Sequence, residues 1–278
     1  MAFLNGDDHE QDHDHDESGY EFRRRWADYR RRVVLNPAER RQRLRRGVYL
    51  LPSLFTLGNM FCGYLCLLYA IRGEFEVAAP FIGIAIVLDM LDGRIARLTR
   101  TESAFGIEFD SLADVISFGM APAVLVFQWG LGPLHRMGWA AGFIYLAAGA
   151  IRLARFNIQT GSASDKRYFL GMPIPAAAAV LVSTVYFHPE GFHDQQGALV
   201  AFAITLITAF LMVSTIKFRS FKTFDLRARL SYKILGLIAL AYAALQFKPQ
   251  ILLLVVAYAY LVGGLIGWVW GKFRRRRT

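Results

Sequence analysis

Long apolar runs alternate with short polar blocks along this 278-residue chain. Eight runs stand out, at about 48–71, 77–98, 106–130, 137–155, 172–187, 196–216, 231–247 and 249–271. Most are close to the roughly 20 residues a helix needs to cross a bilayer. The pattern predicts an all-α polytopic membrane protein with about eight transmembrane helices. Three runs are irregular: 172–187 is short, and 77–98 and 106–130 carry aspartates.

The polar blocks divide the chain further. Residues 1–22 are acidic and histidine-rich, a composition that predicts a disordered tail. His9, His13 and His15 alternate there with aspartates and could bind a divalent ion; a solvated tail is the simpler reading. Residues 23–47 are dense in arginine, with Trp26, Tyr29 and Val33 at helical spacing. They form a basic juxtamembrane segment, either a topogenic signal or an interfacial helix on anionic head groups. Residues 48–271 make the membrane domain, and 272–278 a basic cytoplasmic tail.

Charge orients the spans. With the N-terminus inside, the inner segments collect nearly all lysines and arginines, whereas the outer loops hold only Arg72, Arg136 and Lys248. The positive-inside rule therefore puts both termini in the cytoplasm of a bacterial-type inner membrane. His135, His188 and His193 fall in outer loops. The net charge of +10 sits in short blocks within a chain that is 55% hydrophobic, which leaves no polar surface for a nucleic-acid groove. Cys62 and Cys66 lie in an apolar run and read as small buried residues.

Carboxylates break this pattern. The stretch "LDMLDGRIARLTRTESAFGIEFDSLADVISFG" runs from Leu88 to Gly119 and holds Asp89, Asp92, Asp110 and Asp114. On a helix Asp89, Asp92, Gly93 and Ala96 share one face, with Arg97 at its margin. Asp110 and Asp114, spaced i, i+4, share a face of the next helix. A short polar loop joins the two helices, so the carboxylates can meet near their cytoplasmic ends. An ionised side chain at bilayer depth costs roughly 2.5–3.5 kcal/mol, and four neighbours repel one another. Protonation or bound cations are the remedies. Four carboxylates can hold two divalent ions, and all-oxygen ligands favour magnesium or manganese over zinc. Gly93 and Ala96 let a ligand approach the helix backbone.

The spacing Asp89-x2-Asp92-Gly93-x2-Ala96-Arg97-x8-Gly106-x3-Asp110-x3-Asp114 resembles the signature of the CDP-alcohol phosphatidyltransferase family at every defined position. "LPSLFTLGNMFCGYL", "DSLADVISFGMAPA", "IRLARFN" and "GMPIPAAAA" are similar to the phosphatidylserine synthase branch, with Ser53 where that branch often has asparagine. The resemblance covers Leu51 to about Ala179.

It implies a helical bundle of the family type, usually a homodimer, that uses a divalent metal at a site open to the cytoplasm. CDP-diacylglycerol and L-serine would be the substrates, and phosphatidylserine and CMP the products. Asp89, Asp92, Asp110 and Asp114 would be the metal carboxylates, with Asp114 also the general base. Gly93, Ala96 and Arg97 would line the nucleotide pocket, with Thr56 and Asn59 as neighbours. Arg152 and Arg155 would meet lipid phosphate or the serine carboxylate, or else serve only as positive-inside residues. Two other functions stay open here: the same chemistry on glycerol phosphate, inositol or choline, and a carboxylate-lined divalent-cation transporter.

Overall fold

The computed structural model describes residue 24 and residues 37–99, 103–159, 168–219 and 246–275. The tail at 1–22 with its histidines, most of the basic block at 23–36, Lys166, Arg167 and the run at 231–245 lie outside the described residues. The chain divides into two units, 1–50 and 51–278. The first is helical at 37–50. The second carries everything below.

Helix α1 (Pro37–Ile71) stops at Gly73, which adopts the left-handed backbone. The Gly73 amide bonds to the Ala70 carbonyl and the Glu74 amide to the Tyr69 carbonyl, each at 3.0 Å. This paired closure satisfies the last carbonyls and reverses the chain in three residues. Helix α2 (Phe75–Thr99) follows, and brings the first two aspartates into its last three turns.

Helix α3 (Ala104–Asp114) starts on Ser103, whose Oγ accepts from the Gly106 amide at 3.0 Å. It runs on without a break through a π segment (Val115–Met120), α4 (Ala121–Val126), a second π segment (Phe127–Leu131) and a 3-10 turn (Gly132–Leu134). Helix α5 (Arg136–Gln159) returns beside it. After it come β1 (Tyr168–Leu170), α6 (Ile174–Phe187), α7 (Gln195–Val213), β2 (Lys217–Arg219) and α8 (Pro249–Arg275). The fold is helical as expected. The antiparallel β1–β2 pair, with Phe169 opposite Phe218, adds only three residues on each side. It is a short ribbon that ties the approach to α6 to the exit from α7.

Five stretches are long and apolar enough to cross a membrane: Ser53–Ile71, Phe105–Leu134, Arg136–Ile158, Gln195–Val213 and Pro249–Trp268. The expected eight are thus not all found among the described residues, for three physical reasons. Helix α2 has the length but carries the aspartates and an arginine within its apolar stretch. Helix α6 has 14 residues, about 21 Å of helix against a hydrocarbon core of about 30 Å. The run at 231–247 is described only at its last two residues.

Helix α6 lies inside the bundle, against α2 and α8. Ile174, Ala177, Ala178, Leu181 and Val185 are all buried, so its apolar character reflects protein packing rather than lipid contact. Large apolar side chains on the outer faces, such as Phe61, Phe143 and Phe210, are exposed. An exposed apolar girdle of this kind is the surface a bilayer covers.

Candidate active site

The site lies where the end of α2 meets the start of α3. Asp89 and Asp92 stand one turn apart on α2, and Asp110 and Asp114 one turn apart on α3. One carboxylate oxygen from each of Asp89, Asp92 and Asp110 lies within 4.8 Å of the others. Asp92 is buried, and Asp89 and Asp110 are half-buried. Asp114 is buried as well, within electrostatic reach of the other three. The pairing expected from i, i+3 and i, i+4 spacing is therefore present, with Asp114 beside the three clustered carboxylates.

Oxygens so close, drawn from three carboxylates, fit a hard divalent cation. Asp110 supplies a second sign: its Oδ1 is buried and accepts no hydrogen bond. Buried acceptors are rarely left unpaired, and a cation would satisfy this one.

Helix α1 closes the site from one side. The Thr56 hydroxyl donates to Asp92 Oδ2 at 3.0 Å, and the Asn59 amide donates to Asp114 Oδ1 at 3.4 Å. Gly93 opens the other side. A Cβ there would meet only the Arg97 guanidinium, at 3.9 Å, so that face of α2 is free for a ligand. Ala96 is half-buried on the same face. Arg97 is exposed and folds back along its own helix, its Nε donating to the Gly93 carbonyl at 2.6 Å.

Helix α5 brings two arginines. Arg152 is buried, its Nε has no hydrogen-bond partner, and Asp114 and Tyr260 are its electrostatic neighbours. Arg155 is half-buried and turns toward α7, where its guanidinium donates to the Val213 carbonyl at 3.4 Å. The two are thus separated in role by their surroundings: one faces the carboxylates, the other the edge of the bundle.

Three further groups escaped the sequence reading. Ser117 Oγ donates to the Asn59 carbonyl at 3.0 Å. Asn157 donates to Ser111 Oγ at 2.9 Å, linking α5 to α3 one residue past Asp110. Ser117 and Asn157 fall inside blocks already notable in the sequence, so they were there to be found. Tyr260 on α8 had no local signal.

Comparison with known proteins agrees with this geometry. A family model described as CDP-alcohol phosphatidyltransferase matches residues 49–216, a range that holds every residue of the site just described except Tyr260. A CDP-diacylglycerol–serine O-phosphatidyltransferase of Helicobacter pylori (strain ATCC 700392 / 26695) is 39% identical over 224 residues, covering 80% of this chain and 92% of that protein. The Bacillus subtilis (strain 168) protein of the same name is 35% identical over 172 residues, 62% of this chain and 91% of that protein. An archaetidylserine synthase of Methanothermobacter thermautotrophicus is 36% identical over 170 residues, 60% of this chain and 69% of that protein.

Proposed function

Because the chain belongs to the CDP-alcohol phosphatidyltransferase family, we propose that it moves the phosphatidyl group of CDP-diacylglycerol to the hydroxyl of L-serine, giving phosphatidylserine and CMP. It is an integral membrane protein of a metal-dependent enzyme family. The carboxylate cluster on α2 and α3 carries the chemical reading. The serine acceptor is supported by the names of its relatives in two bacteria, and the archaeal relative, a serine-using enzyme by name, points the same way. A cation transporter has no support from these relatives.

Asp89, Asp92 and Asp110, joined by Asp114, would hold the divalent metal, Mg2+ or Mn2+, and four carboxylates offer ligands for two ions. Bound there, the metal supplies positive charge that neutralises the pyrophosphate and the departing CMP. The open α2 face at Gly93 and Ala96 takes the nucleotide, with Arg97 at its border. Arg152, buried beside Asp114, and Arg155 would meet the serine carboxylate or the lipid phosphate.

Asp114 then removes the proton from the serine hydroxyl as its oxygen bonds to the lipid-side phosphorus. The bond from that phosphorus to the CMP oxygen breaks, and its electron pair leaves on CMP. Fixed positions for both reactants make this in-line exchange effectively intramolecular.

The remaining features of the reading concern the whole chain. Eight crossings follow if α2 and α6 join the five long spans and the run at 231–247 adds another. Both termini and the site would then face the cytoplasm, where serine and the charged CDP head group are found, with the acidic tail at 1–22, basic segment at 23–47 and tail at 272–278 on that side. A homodimer is the expected assembly. Release of CMP from CDP-diacylglycerol by purified protein, dependent on serine and absent with glycerol phosphate or inositol, tests the reaction; equal rates with another acceptor would overturn the choice of serine.

The nucleotide face makes its own prediction. Gly93→Leu and Ala96→Leu are expected to weaken CDP-lipid binding at least about tenfold, because a leucine fills space the ligand needs. Leucine suits a bilayer helix, so both variants should still insert. Titration of CDP-diacylglycerol into the purified variants measures it, and wild-type affinity in both would move the nucleotide elsewhere.

A further inference from the structure

Thr56 and Asn59 resemble nucleotide-pocket residues by sequence, yet their surroundings are those of a support. Thr56 is 4% exposed and Asn59 fully buried, and each donates a hydrogen bond to a carboxylate, while the buried Asn59 Oδ1 accepts none. The two carboxylates belong to different helices, Asp92 to α2 and Asp114 to α3. A single face of α1 therefore holds both sides of the site at once.

That face is itself fixed through the backbone. Ser117, in the π segment directly after Asp114, donates to the Asn59 carbonyl. Gly63, one turn beyond Asn59, packs on the same serine: a Cβ on Gly63 would lie 2.7 Å from Ser117 Oγ and 2.8 Å from its Cα. Only glycine allows α1 and the π segment to approach so closely. Asn59 and Asp114 are thus joined twice, through the side-chain amide and through Ser117. A π segment beside a reactive group re-aims the turn that carries it, and here α1 locks the turn in place.

We propose that Thr56 and Asn59 are positioning residues for Asp92 and Asp114, and that α1 sets the geometry between the two carboxylate-bearing helices. The inference rests on the phosphatidyltransferase reading above. It replaces a contact with substrate by a contact with the groups that meet substrate. Two consequences differ from those of a nucleotide ligand. Loss of either donor misplaces a carboxylate, so turnover and metal affinity fall. The nucleotide face at Gly93 and Ala96 stays intact, so affinity for the CDP-lipid does not.

Thr56→Val and Asn59→Leu remove the donors at nearly constant volume. In detergent-purified full-length protein, kcat is expected to fall about 10–100-fold, the scale of one hydrogen bond to a charged group. KM for CDP-diacylglycerol should stay within about threefold, and Mn2+ binding, followed by electron paramagnetic resonance without substrate, should weaken at least about fivefold. Thr56→Ser keeps the hydroxyl and should recover most of the loss, which a packing defect would not allow. If Asn59→Leu does not insert, Asn59→Ala is judged by the same criteria. The proposal is overturned if kcat stays within threefold of wild type, or if KM rises more than tenfold while Mn2+ binding is unchanged. Wild-type protein that binds Mn2+ but releases no CMP would instead refute the phosphatidyltransferase reading, and the Mn2+ measurements on the variants would still decide the positioning role.

Discussion

Asp114→Asn is expected to lower kcat by roughly 10³-fold while CDP-lipid affinity stays within about threefold, the scale of a lost general base. The carboxylate is buried, accepts from Asn59, and has Arg152 beside it. It lies within electrostatic reach of the three clustered carboxylates. On the proposed reading it would join Asp89, Asp92 and Asp110 at the cation and also take the acceptor's proton. The asparagine keeps the size of the side chain but cannot take a proton from serine. Its remaining oxygen can still accept from the Asn59 amide, so that bond can be kept. The change does not reach Gly93 or Ala96, which is why binding should survive. Single-turnover CMP release together with CDP-lipid titration separates the two quantities. A kcat within tenfold of wild type would remove Asp114 from the role of base.

The sequence made the core of this site readable because its geometry is local. Asp89 with Asp92, and Asp110 with Asp114, share faces by helical spacing alone, and a short connection forces the two faces together. What the sequence hid depends on contacts between distant segments. Nothing near Thr56 or Asn59 says that α1 crosses the ends of α2 and α3, so the two residues read as pocket lining; their partners are 36 and 55 positions away. Tyr260 reaches Arg152 from a helix whose sequence shows only apolar character. The span count of the described residues differs from the hydropathy pattern for a related reason. Hydropathy reports that a segment avoids water, but not whether lipid or protein replaces it, and α6 is apolar because other helices surround it. Conversely, α2 fails a test of apolarity because the functional aspartates sit in it.

Removing divalent metal is expected to abolish activity, by at least about 10³-fold, since charge neutralisation by a bound ion is worth several kcal/mol in the transition state. Three carboxylates crowd their oxygens within 4.8 Å inside a largely apolar bundle, and no described lysine or arginine donates a hydrogen bond to them. Thr56 is the donor that Asp92 receives, and the buried Asp110 Oδ1 has none. On the proposed reading a cation would complete a site with that charge, and would let a pyrophosphate approach without its own negative charge meeting the carboxylates directly. The ligand set also orders the metals. Mg2+ and Mn2+ accept all-oxygen coordination and should restore turnover after chelation. Zn2+, which favours nitrogen and sulfur in tetrahedral sites, should not. The same logic predicts that Asp89→Asn, Asp92→Asn, Asp110→Asn and Asp114→Asn each raise the Mn2+ concentration needed for half-maximal activity, and that Asp114→Asn in addition lowers kcat at saturating Mn2+. Activity assays across a metal titration, on chelator-stripped protein, resolve these cases. Full turnover in excess chelator would show that the carboxylates work without a cation and would dismantle the metal reading of the four aspartates.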